Sequence, residues 1–219
     1  MRNQMKIASV LPHVEIFGGV RRYLEVGNEL SNRGYYFVLF HPDGSKPEWF
    51  DFKGITKSFS SLGSETFDIG LCSEYSVVPY FERLNARTKF FYFLLEGHKQ
   101  EKEIVKKNYF FLGNSEGICR RLEKKYKILC SSAPGGVNPK LFYPVKRERK
   151  KNEFRILSYG RIYKKRKGIR YVIRAVEGLY KEYPHCFSCS FSSSSFVTLS
   201  NQKTHQRRKA SSSNSAGWI

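Results

Sequence analysis

The chain has 219 residues, of which 40% are hydrophobic and 16% aromatic, and its formal net charge is +20. That composition can bury a core and excludes disorder throughout; the length suits one large α/β domain, or one full domain with part of another. The charge fits nucleic acid, an anionic membrane face or phosphorylated small molecules as partners, and it is uneven: basic residues dominate from Lys146 to Arg174, and no acid follows Glu182.

No apolar run is long enough for a transmembrane helix. The opening "MRNQMKIASVLPHVE" has a basic start, but its short apolar run merges into a strand pattern and does not read as a signal peptide. Five scattered cysteines, Cys72, Cys119, Cys130, Cys186 and Cys189, argue against a disulfide framework and for a reducing, cytoplasmic setting.

In chain order, "KIASVLP" (Lys6 to Pro12) is a nearly continuous apolar run, as a strand buried on both faces requires. A helix is predicted from about Val20 to Arg33, with Gly34 at its C-terminal cap, followed by a strand at "YYFVLF" (Tyr35 to Phe40). This βαβ unit implies parallel strands. Strands are predicted again at "FDIGLC" (Phe67 to Cys72), "TKFFYFLL" (Thr88 to Leu95), "YFFLGN" (Tyr109 to Asn114) and "KILCS". Helices are predicted at "VVPYFERLNA" and "SEGICRRLEKKY", the latter N-capped by Ser115, and "KQEKEIVKK" suits a helix or a loop. "APGGVNPKLFYP" reads as a Gly/Pro-rich loop. The alternation predicts a doubly wound, Rossmann-like parallel sheet with flanking helices.

The expected domain 1–145 is followed by a basic linker, 146–153. The cycle then restarts in 154–183 with "FRILSYG", a basic loop and the amphipathic "GIRYVIRAVEGLYKEY", whose stripe is Ile169, Val172, Ile173, Val176 and Leu179. One strand and one helix make an incomplete second Rossmann-like unit. From Pro184 the text turns Ser-rich, so 184–219 is expected to be a low-complexity, disordered tail. Truncation by a frameshift near Tyr183 to Cys186 is the first expectation here, and a functional tail the competing one.

Two stretches have the chemistry to grip an anion. Gly18-Gly19 precede a helix, where backbone N–H groups and the helix dipole attract negative charge, although a plain strand-to-helix turn has the same look. In "YGRIYKKRKGIR", Gly160 ends a strand, Arg161 follows, and Lys167-Gly168 opens a helix; Arg161 and Lys167 are placed for a diphosphate, or the loop is simply solvated.

These stretches, in order, resemble the family-4 retaining glycosyltransferases of the GT-B fold. The resemblance rests on "GGVRRYLEVGNELSNRGY", "FFLGNSEGICRRLEKKY", "GGVNPKLFYP" and Gly160-Arg161-Ile162 with Lys167-Gly168-Ile169, and it spans about residues 6 to 182. It implies a metal-independent enzyme without a cofactor that transfers a sugar from a nucleotide-sugar donor, with retention, to an acceptor that is a saccharide or lipid-linked. By the same resemblance Gly18, Gly19, Arg161 and Lys167 contact the donor diphosphate, and Arg166 competes with Lys167 because the loop has one residue more than the family pattern. His98, in the loop after a strand, is implied as the catalytic candidate beside the transferred sugar, with Glu96-Gly97 standing before it as a departure; His13 is a second candidate. Glu15 and Glu74 could reach acceptor hydroxyls, with plain surface placement as the alternative.

The family's downstream paired glutamates have no counterpart, because no acid follows Glu182. Activity of this chain alone is therefore in question. No D-x-D sequence occurs, so a metal-bridged diphosphate is unsupported and no metal ligands are assigned. "HCFSC" with His205 matches no standard zinc spacing. The alternative from a different class is a basic α/β protein that binds nucleic acid or an anionic membrane face without catalysis, for which "RIYKKRKGIRYVIR" supplies a partial basic stripe. Nucleic acid ranks below nucleotide sugar. Peripheral contact with the inner face of a membrane is compatible with both readings.

Overall fold

The computed structural model describes residues 4–146, 156–159, 168–182, 188–192 and 196–200. The chain divides into two compact units, Met1–Tyr143 and Pro144–Ile219. The first unit is α/β and Rossmann-like. Its elements are β1 (Lys6–Val10), α1 (Gly18–Asn32), β2 (Tyr36–His41), β3 (Ile55–Ser58), β4 (Phe67–Cys72), α2 (Val78–Arg83), β5 (Ala86–Phe93), α3 (Glu101–Ile104), β6 (Phe110–Gly113), α4 (Glu116–Tyr126) and β7 (Cys130–Ser132). The seven strands form one sheet in the order β3-β2-β1-β4-β5-β6-β7. Every pairing is parallel.

Buried strands at the centre explain the continuous apolar text. In β1 and β2, Ile7, Phe37 and Leu39 pack to one face with Val20, Tyr23 and Leu24 of α1. Ala8, Val10, Val38 and Phe40 pack to the other, with Phe81 of α2, Ile104 of α3 and Leu122 of α4. Period-two alternation thus survives, but both sides are apolar. α1 ends as expected: Gly34 takes φ +84° and donates to the Ser31 carbonyl. The Ser115 side chain accepts from the Ile118 N–H at 3.3 Å, the expected N-cap of α4.

β3 corresponds to no predicted strand. "ITKS" is short and half polar, and it becomes a strand because β2 offers it a parallel edge, with Val38 opposite Ile55 and Phe40 opposite Lys57. α1 also starts earlier than expected, so Gly18 and Gly19 are its first turn and not the loop before it.

α1 lies against β2 with no room at Gly27, where a Cβ would sit 2.6 Å from the Phe37 ring and 2.8 Å from the Phe52 ring. Both rings are buried. Gly27→Ala is expected to destabilise by about 1–3 kcal/mol through overpacking, despite alanine's better helix propensity. Chemical unfolding measures it, and an unchanged midpoint would mean that the helix can lift off the sheet.

In the second unit, β8 (Ile156–Tyr159) and α5 (Ile169–Glu182) fall where a strand and a helix are predicted, and Ile169 and Val176 of the predicted stripe are buried. The expected disorder of 184–219 is corrected only in part, because 184–187, 193–195 and 201–219 lie outside the described residues. The Ser-rich segment holds β9 (Ser188–Ser192) and β10 (Phe196–Ser200), and β10 pairs antiparallel with both β8 and β9. Serine density hides "FVTLS", a run of β-branched and aromatic residues with strand propensity. Among the described residues this unit's sheet is antiparallel, not the start of a second parallel one. No helix among the described residues is long and apolar enough to cross a membrane.

Candidate functional site

In a doubly wound sheet, loops leaving the carboxyl ends diverge where the strand order reverses, and the crevice between them receives ligands. Here the reversal lies between β1 and β4. The loop after β1 carries His13, the turn after β4 carries Glu74, and the loop after β5 carries His98.

The β1–α1 loop is held from below and from the side. The Leu11 N–H donates to the Phe40 carbonyl at 2.9 Å. The Trp49 indole N–H donates to the Val14 carbonyl at 2.7 Å. His13 packs against Phe17 with ring centroids 4.9 Å apart, and its Nδ1 accepts from the Glu15 N–H at 3.3 Å. A neutral His13 therefore carries its proton on Nε2.

His98 is built the same way. Its Nδ1 accepts from the Gln100 N–H at 3.2 Å, leaving Nε2 as the outward nitrogen, and its ring stacks on Tyr75 at 3.8 Å and 13°. Glu74 lies within electrostatic reach of both imidazoles. Desolvation pushes its carboxyl above the usual range, opposed by His13 and His98. The strand order β1-β4-β5 thus sets the loops of these three residues, distant in sequence, side by side at one edge of the sheet. The surface alternative for Glu74 is half right: the residue is exposed, but between the histidines' fields. Glu15 is exposed on the loop.

What fixes the His98 loop lies beneath it. Glu101 is 1% exposed, and its carboxylate accepts from Arg121 at 2.8 and 2.5 Å, from the Tyr126 hydroxyl at 2.9 Å and from the Gly97 N–H at 3.3 Å. The Arg121 guanidinium holds the Glu101 carboxyl down at about 2. The Glu101 N–H donates back to the His98 carbonyl at 3.0 Å, and Gly97 makes the turn at φ +72°, which favours glycine. Glu101 and Arg121 had no distinguishing signal in the sequence; both sit in charge-rich helical text that reads as a solvated face.

Gly18 and Gly19 open α1 with no side-chain cap from Phe17. Neither has positive φ. A Cβ at Gly18 would meet nothing within 4 Å, and one at Gly19 only Leu94 Cδ1 at 3.8 Å. No internal contact demands glycine at either place, so the space lies outside the fold, above uncapped N–H groups. Ile16 at 74% and Leu95 at 62% exposure rim the same end. From Gly18 a cleft of about 1350 Å³ runs along α1, past Arg22, Tyr92 and Asn114, to Gly136 and Asn138.

Arg161, Arg166 and Lys167 lie outside the described residues. Cys72, at the end of β4, is fully buried, and burial pushes its thiol up to about 12, which disfavours the reactive thiolate. Among the described residues no group of three His, Cys, Asp or Glu side chains is placed to hold a metal ion.

Glu74 also supplies a stability test. A carboxyl whose folded value is raised penalises the native state as pH rises through that value. Glu74→Gln is expected to leave the melting temperature at neutral pH unchanged or slightly higher, as for a residue kept for function and not for stability. A marked drop would make Glu74 a structural ion-pair partner of the histidines.

No family model, no curated protein and no solved structure matches the chain.

Proposed function

We propose that the first unit is the acceptor-side half of a nucleotide-sugar-dependent glycosyltransferase, of the GT-B, family-4 retaining kind that the motifs resemble. The observation carrying the proposal is that the uncapped, glycine-opened N-terminus of α1 and the loops bearing His13, Glu74 and His98 all lie at the carboxyl edge of the sheet, around its switch point. The α1 N-terminus receives the donor diphosphate at Gly18 and Gly19, where helix dipole and free N–H groups stabilise negative charge growing on the leaving group. His98, held by its stacking on Tyr75, presents Nε2 toward the transferred sugar. His13 and Glu74 border the place of the acceptor hydroxyl, and Glu74, being harder to ionise than an ordinary carboxyl, suits a group that hydrogen-bonds or accepts a proton. By the motif resemblance alone, Arg161 and Lys167, with Arg166 as competitor, are proposed as diphosphate contacts. The acceptor is a saccharide or a lipid-linked molecule. The setting is cytoplasmic, with exposed Ile16 and Leu95 available for peripheral membrane contact.

Calorimetric titration of the full chain with uridine and guanosine diphosphates tests this reading. Gly18→Ala is expected to weaken binding while raising stability by about 0.5–1 kcal/mol, since alanine is the better helix former and nothing in the fold obstructs its Cβ. Unchanged binding in Gly18→Ala, or in the bulkier Gly18→Val, would remove the diphosphate from this helix.

A further inference from the structure

α1 carries more than the glycine end. Its second turn grips the segment that leaves β7, Ala133 to Phe142, which contains no helix or strand. The Arg22 guanidinium lies over the Tyr92 ring, 5.0 Å from its centroid, and donates from Nη1 to Asn114 Oδ1 at 2.8 Å. The Tyr92 hydroxyl donates to the Ala133 carbonyl at 2.5 Å and lies 3.2 Å from the same Asn114 oxygen. Gly135 passes so near that a Cβ there would collide with Arg22 Nη2. On the next positions of the helix face, Glu25 accepts from Asn138 Nδ2 at 3.0 Å, and Arg21 sits 5.9 Å from the centre of the Phe142 ring. Apart from the Ala133 N–H on the Gly113 carbonyl, the segment's own backbone bonds are local, Leu141 and Phe142 to Asn138.

Arg22 is placed here at a cost. Its Nη2 is buried with no acceptor, and such a donor costs about 1–3 kcal/mol. A lysine could not lie flat between an aromatic ring and a glycine while donating sideways to an amide oxygen.

We propose that Arg22 is a positioning residue which clamps the Ala133–Phe142 segment to the helix whose first turn forms the anion end. Occupying Gly18 and Gly19 holds the first turns of α1 in place, and through Arg21, Arg22 and Glu25 it orders the segment leading out of the unit. By linkage, an ordered segment binds the anion more tightly to the same degree. The clamp stands on the contacts above; the coupling rests on the anion-binding reading of the previous subsection.

The test is amide hydrogen exchange on the full chain with and without pyrophosphate, for the native protein, Arg22→Lys and Arg22→Met. Without ligand, both variants are expected to exchange at least tenfold faster across 134–142, while β1 and β4 keep their native rates. With pyrophosphate, protection is expected over 18–24 and over 134–142 in the native chain, but over 18–24 alone in the variants. Native rates across 134–142 in Arg22→Met overturn the clamp. Native-chain protection limited to 18–24 overturns the coupling and leaves the anion site standing. No protection at 18–24 in the native chain overturns the anion reading and the coupling with it, and leaves the clamp to be judged by the ligand-free rates. Faster exchange throughout Arg22→Met would mark a general structural role and overturn the proposal; Tyr92→Phe, which removes the hydroxyl from Ala133 and Asn114, is expected under the clamp to loosen 134–142 alone.

Discussion

Replacing Glu101 by Gln is expected to destabilise the protein by about 3 kcal/mol at neutral pH, the worth of holding a buried carboxyl at about 2 against an ordinary 4.5. The mechanism is specific. Arg121 would face an amide in place of a bidentate carboxylate, and breaking one side of a buried pair leaves the other charge uncompensated. For a chain of this length such a loss lowers the melting temperature by roughly 10 °C.

The pH dependence has a definite sign. The folded value is depressed, so the stabilisation is complete above the ordinary carboxyl value and fades as pH falls from about 4.5 toward 2. Native and Glu101→Gln proteins should therefore differ most at neutral pH and converge in strong acid. A constant difference across that range would show that the effect is packing and not charge. Because the Glu101 carboxylate also accepts from the Gly97 N–H, the same substitution should loosen the His98 loop.

The second large effect concerns His98 itself. On the proposed reading, and where the protein turns over a nucleotide sugar, His98→Ala is expected to lower release of nucleoside diphosphate by 10²–10⁴-fold, the usual range for a positioned proton-transferring group. Its stability cost should stay near 1 kcal/mol, because His98 is exposed and loses the stacking on Tyr75 and one exposed hydrogen bond from the Gln100 N–H. Tyr75→Leu should reduce the rate less, since it removes the platform and leaves the imidazole. Equal rates for native and His98→Ala proteins would take His98 out of the chemistry and leave it a capping residue of its own loop.

Much of the fold was legible because the strands of the first unit carry dense apolar text and their connections carry cap residues. Gly34 and Ser115 act where local chemistry places them. β3 was not legible because its four residues gain strand character only from the edge that β2 offers, and β9 and β10 were masked by serine. Part of the site could be read from position in the strand–loop cycle, which puts His13 and His98 at carboxyl ends. Glu74 could not be raised above a surface acid until the order β1-β4-β5 placed it between the two histidine loops. Glu101, Arg121 and Arg22 are long-range partners inside helices of mixed charge, where the text of a solvated face and of a buried pair is the same. Arg22 is the clearest case: nothing in the text around it sets it apart from Arg21, yet it is turned onto Tyr92 and Gly135.

The central claim is that the switch-point crevice holds a nucleoside diphosphate at the N-terminus of α1. Amide NMR of the full chain, titrated with uridine and guanosine diphosphates, addresses it most directly. The account predicts that the largest saturable shifts fall on Gly18 and Gly19, with smaller ones at His13, Glu74 and His98, and that Gly18→Val abolishes them. Shifts confined to exposed lysines that disappear at physiological salt, with Gly18 and Gly19 unmoved, would contradict it and mark the +20 charge as the sole source of binding.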